Sequence, residues 1–287
     1  MERRGTLLAA AAAAATFTLL FWPVLTRLVA QWAADENYSH GFLIFPLALW
    51  FAWDRRHRAS AVPVRPSRWG LAGAMGSLLM LFAGVLGAEL FLTRIAMLGM
   101  LASAVVFLFG WGHLRVMAFP IGFLLLMVPL PGIVFNQIAF PLQLIASQAG
   151  QLTLGALDIP VMRQGNLIIL AETRLEVAEA CSGIRSLVSL LALGLVYGYF
   201  SDLGPWSRAL LAVMTVPVAI VANALRVAGT GFAAHYYGPA AAEGFFHAFS
   251  GWLVFAVAFA MLVVVDRVVR WADSARPLQR RATAAAA

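Results

Sequence analysis

Apolar residues run through this chain in long blocks separated by short polar or charged breaks, a spacing that suits membrane crossing rather than a soluble core. A hydrocarbon layer ~30 Å thick is crossed by ~20 mostly apolar residues in a helix. Such blocks lie near 6–25, 41–54, 69–88, 95–112, 115–131, 184–200, 208–225 and 248–266. The pattern therefore predicts an all-α polytopic membrane protein with about eight transmembrane helices. The block 41–54 is short. The stretch 133–150 is apolar but interrupted by Asn136, Gln137, Gln143 and Gln148, which suits a re-entrant or interfacial helix. Two β-compatible runs, Val161 to Leu170 and Thr173 to Ala178, surround turn-forming residues and predict a small β-hairpin in an extracytoplasmic segment of about 132–183, just before residue 181.

Composition agrees with this class: 62% of the 287 residues are hydrophobic and 11% charged, which excludes a soluble globular domain. The N-terminal Met1-Glu2-Arg3-Arg4 and the alanine-rich stretch after it read as an uncleaved first span, because apolar character continues to Leu25. All 20 basic residues are arginine. With the N-terminus inside, only Arg27, Arg94, Arg163, Arg174, Arg185 and Arg226 fall on the outer side, an asymmetry that predicts both termini in the cytoplasm. This topology, together with anionic inner-leaflet lipid, accounts for the net charge of +7, and no nucleic-acid partner is expected. Residues 1–266 form one membrane domain. The short basic tail 267–287 is expected to be cytoplasmic and disordered past Pro277. Gly194 and Gly198 present a small-residue face suited to helix packing.

Cys181 is the only cysteine, so it forms no disulfide within the chain and is too few for a thiolate metal cage. Inert packing, redox reactivity and covalent catalysis remain open to it. It stands in Glu179-Ala180-Cys181-Ser182-Gly183-Ile184-Arg185, between an acid and a base, and runs straight into an apolar block. Arg226 follows Asn223 by one helical turn at the predicted outer end of the seventh block, where a snorkelling arginine and an oxyanion donor are both reasonable readings. The loop predicted from Arg226 to His247 opens to the same face. His247 opens the last block, in Phe246-His247-Ala248-Phe249, either as an interfacial aromatic or as an acid/base group. Together, Cys181, Arg226 and His247 supply a nucleophile, an oxyanion donor and a proton carrier for acyl transfer. His40, Glu179, Arg185 and Asn223 are candidate supporting or substrate-binding residues. A metalloprotease built on His40, His235, His247 and Glu243 lacks any His-Glu-x-x-His pattern, so no metal site and no cofactor is expected. A transporter or scaffold subunit of a polysaccharide export system is the non-enzymatic alternative.

The ordered set Glu179-Ala180-Cys181-Ser182-Gly183-Ile184-Arg185, Asn223-Ala224-Leu225-Arg226 and Phe246-His247-Ala248-Phe249-Ser250-Gly251-Trp252 resembles the signature regions of the exosortase/archaeosortase family. Tyr38-Ser39-His40-Gly41 resembles a further family feature. The resemblance implies a bacterial inner-membrane cysteine protease or transpeptidase with its site facing the periplasm. Its partners would be exported proteins with a C-terminal sorting signal of the PEP-CTERM type, in an exopolysaccharide setting. It makes Cys181 the nucleophile, Arg226 the transition-state stabiliser and His247 the acid/base partner.

Overall fold

The computed structural model describes residues 2–171, 174–177, 184–238 and 245–285; within these, the side chains of 2–10, 184, 245–250 and 272–285 are left undescribed. The chain forms two compact units, Met1–Gly132 and Ile133–Ala287.

The first unit is helical: α1 Glu2–Ala34, α2 Gly41–Asp54, the short α3 Arg56–Ser60, α4 Trp69–Leu86, α5 Leu90–Leu108 and α6 Trp111–Phe123, which tightens into a 3₁₀ turn, Leu124–Met127. Helices α4 and α5 form a close hairpin because small residues face each other: a Cβ on Gly99 would lie 2.8 Å from Ser77 Oγ, and one on Gly84 2.9 Å from Thr93 Cγ2. Helix α6 ends where Val128 turns extended ahead of Pro129. Two side chains take up carbonyls at this end: Trp32 Nε1 donates to Met127 O and His40 Nε2 to Leu126 O, each at 2.9 Å. Arg94, expected in an outer loop, instead lies within α5 at 2% exposure, because Gln31 Oε1 accepts from its guanidinium at 2.7 Å.

The His40 bond makes a pH prediction. Burial holds the imidazole below its ordinary range, outweighing the main-chain contacts to Leu126 and Asn37 that act the other way. The unfolded chain therefore binds this proton first, so stability from His40 is complete above about 6.5, the unfolded value. It declines as pH falls from there through the folded value. The apparent melting temperature in detergent should drop more steeply below pH 6.5 for the wild type than for His40→Gln, whose amide can still donate. Equal slopes would refute this role.

The second unit contains α7 Gly132–Ala156, strands β1 Val161–Gln164, β2 Leu167–Leu170 and β3 Arg174–Glu176, and helices α8 Ile184–Phe200, α9 Pro205–Tyr237 and α10 Phe245–Ala285. The strands pair antiparallel in the order β1-β2-β3, with Arg163, Ile168 and Leu175 aligned across the sheet. The predicted hairpin is thus present and is one strand larger. The run 161–170 folds back on itself at Gly165, whose φ of +63° suits a two-residue turn. Val161, Ile168, Leu170, Leu175 and Val177 pack with Ala146 and Leu154 of α7 and with Val227 and Ala234 of α9. A separate core joins Leu190 of α8, Val218, Ala219 and Ala222 of α9, and Val254 and Ala258 of α10. Gly194 serves the packing expected of it: a Cβ there would lie 2.5 Å from Thr215 Cγ2 of α9. Buried Asp266 ties α10 to α8, accepting from Tyr197 Oη at 2.9 Å and Arg270 Nε at 2.7 Å.

Five described helices are long and apolar enough to cross a membrane, and six if α6 with its 3₁₀ turn and α7 count as one broken span. Three of the eight hydropathy blocks fall short of this test. α2 and α8 have only 14 and 17 residues, and the block 115–131 breaks after Met127 at the proline pair. The backbone of α10 runs on as helix to Ala285, which suits the alanine, arginine and glutamine content of its last turns.

Helix α7 crosses α9 closely. A Cβ on Gly150 would stand 2.8 Å from Val227 Cγ1 and 3.1 Å from Ile168 Cδ1, whereas Gly155 on the same helix has nothing within 4 Å. Because valine is stiff at χ1, Gly150→Leu should destabilise the second unit by about 1–3 kcal/mol. Gly155→Leu should be neutral or mildly stabilising. Thermal unfolding of the two variants in detergent checks this, and equal melting temperatures would count against it.

Candidate active site

Helix α9 carries the best-described part of the site. It was expected to end at residue 225 with a loop from Arg226 onward, but it continues to Tyr237. The reason is tertiary: Val227, Ala228, Gly231 and Ala234 are buried, with Val227 and Ala234 packed against the sheet and α7, so a sequence rich in glycine and small residues stays helical. At 1.5 Å per residue, Arg226 lies about 30 Å along the axis from Trp206 and about 16 Å from Tyr237. Both aromatics are exposed, at 85% and 77%, as side chains of an interfacial belt would be. Arg226 is therefore held within a long helix rather than at its mouth.

Asn223 and Arg226 occupy the turn of α9 between the two cores of this unit. Ala222 belongs to the core with α8 and α10, and Val227 to the core with the sheet. Asn223 is 2% exposed and Arg226 half-buried. Thr230 Oγ1 donates to Arg226 O at 2.9 Å, which anchors the main chain of this turn. A guanidinium partly withdrawn from water acts more strongly on a developing negative charge than an exposed one.

The other candidate residues are distributed as follows. Cys181 and Glu179 lie outside the described residues. Their described neighbours are Val177, at 2% exposure in the sheet core, and Arg185, half-buried in the first turn of α8. His247 lies in the first turn of α10, and its side chain is outside the description. His40 belongs to the first unit and is bound to Leu126 O, a partner 86 residues away that no local pattern points to. Among the described residues, no three His, Cys, Asp or Glu side chains gather into a group able to hold a metal ion.

Sequence reasoning missed a polar clamp beside Val177. Val177 N–H donates to Asn166 O at 3.0 Å, and Asn166 Nδ2 donates to Val177 O at 3.3 Å. The same amide reaches Gln143 Oε1 of α7 at 3.5 Å, and the hydroxyl of wholly buried Ser147 is shared between Gly165 O and Leu144 O of its own helix, each at 3.0 Å. In the sequence Gln143 stands only as an interruption of an apolar stretch, and Asn166 only as one position inside a β-compatible run.

A family model described as transmembrane exosortase matches residues 32–264, a span that includes every site residue named above. The chain belongs to the transmembrane exosortase family. No curated relative and no solved structure matches it. This exosortase is thus a multi-pass membrane protein of a class that sorts proteins by transpeptidation, generally through a cysteine.

Proposed function

We propose that this exosortase cleaves the C-terminal sorting signal of exported proteins, of the PEP-CTERM type, at the outer face of the inner membrane, with both termini in the cytoplasm. The Cys181 thiolate attacks a peptide carbonyl; the S–C bond forms and the carbonyl oxygen takes the negative charge. Arg226 donates to that oxyanion. The C–N bond then breaks, and His247, as imidazolium, protonates the departing amine. The acyl-enzyme passes to an acceptor amine or to water.

One observation carries this reading beyond family membership: Val177 and Val227 are buried in the same core. The first leads into the segment that holds Cys181, and the second adjoins Arg226. Cys181 follows Val177 by four positions, a reach of at most about 14 Å. The transporter alternative would need ionisable groups free along a path. Buried Arg94 and Asp266 are instead bound locally, to Gln31 and to Tyr197 with Arg270.

The test is an in-cell assay with a tagged exported protein carrying such a tail, alongside the same protein without it. Processing should require the tail, stop after thiol alkylation and continue in chelator. Processing that survives alkylation would return Cys181 to the packing residues.

A further inference from the structure

We propose that Asn166 is a positioning residue for the Cys181 thiol, a role that rests on reading Cys181 as the nucleophile. Val177 is the last described residue before the segment that carries the thiol, and both of its main-chain polar groups are bound by Asn166. Asn166 is itself held by α7. Its side-chain amide reaches Gln143, at 7% exposure, and the carbonyl of the adjacent Gly165 accepts from Ser147, at 0%. Helix α7 also sets the place of Arg226, since Gly150 packs on Val227, the next residue of α9. One helix therefore fixes both the strand end that leads to the nucleophile and the helical turn that carries the oxyanion donor.

Only asparagine among the similar small polar side chains supplies what this clamp uses, an amide able to donate to Val177 O and Gln143 Oε1 from one nitrogen. Aspartate has the same shape but places an acceptor against the Val177 carbonyl. The clamp itself touches no reacting atom. Its effect is on alignment, where displacements of about 1 Å can cost on the order of 100-fold in rate.

The experiment compares wild type, Asn166→Asp and Tyr197→Phe, each purified in detergent as the full chain, using a peptide substrate that carries the sorting signal. Tyr197→Phe removes the bond to Asp266 and serves as a control for lost stability away from the clamp. We expect Asn166→Asp to lower kcat about tenfold or more with KM unchanged, while Cys181 still alkylates completely. Tyr197→Phe should retain wild-type kcat per folded molecule. Gln143→Leu, which removes the acceptor, should follow Asn166→Asp in direction. Should Asn166→Asp not accumulate, Asn166→Ala, which keeps the main-chain bond to Val177, carries the same test. Wild-type kcat in the Asn166 variants, or a loss no larger than that of Tyr197→Phe, overturns the proposal and leaves the nucleophile reading intact. Activity that survives in Cys181→Ala would instead overturn the nucleophile reading.

Discussion

Replacing Cys181 with alanine is expected to abolish processing of a tail-bearing protein, and Cys181→Ser is expected to leave at most a trace. The serine variant is informative because it changes one atom. A thiol ionises near 8.5 in the absence of perturbation, so a usable thiolate fraction exists near neutral pH, whereas a serine hydroxyl needs a strong base positioned to take its proton. The two variants should therefore both fail, and by orders of magnitude. The comparison requires matched amounts of each variant in the membrane fraction. Full processing by either variant would show that the thiol is not the nucleophile and bring the transporter or scaffold reading forward.

Arg226→Ala is expected to lower processing by on the order of 10²–10³-fold, the loss typical of removing one oxyanion donor. Arg226→Lys should recover only part of this, because an ammonium keeps the charge but lacks the planar fork of donors. The position of Arg226 in the turn between two cores also gives it a part in packing, so melting temperatures must be measured alongside the rates. A fall in kcat well beyond the fall in folded protein identifies transition-state stabilisation. Unchanged kcat with reduced stability would assign Arg226 to structure alone.

The two variants differ in what they ask of the fold. Cys181 tests the chemistry directly. Arg226 tests whether the extended α9 delivers a guanidinium to the place where charge develops.

The sequence by itself determined the membrane class, because mean apolar content and block length are local properties that bilayer thickness reads directly. It also determined α8, whose bounds 184–200 match the apolar block, and the β character of 161–176, where branched residues cluster around Gly165. The candidate residues were legible because an isolated cysteine, and polar residues at the ends of apolar blocks, stand out against such a background. Tertiary structure alone decided that α9 continues eleven residues past Arg226, because its small residues gain their partners from the sheet and α7, far away in sequence. It decided that Arg94 is buried in a helix, since Gln31 comes from another element. The same holds for the clamp on Val177: Gln143, Ser147 and Asn166 are unremarkable as single letters, and their hydrogen bonds exist only once α7 and the hairpin turn are packed together. Hydropathy is summed along the chain, whereas burial and hydrogen-bond satisfaction are settled between segments, and the arrangement of this site belongs to the second kind.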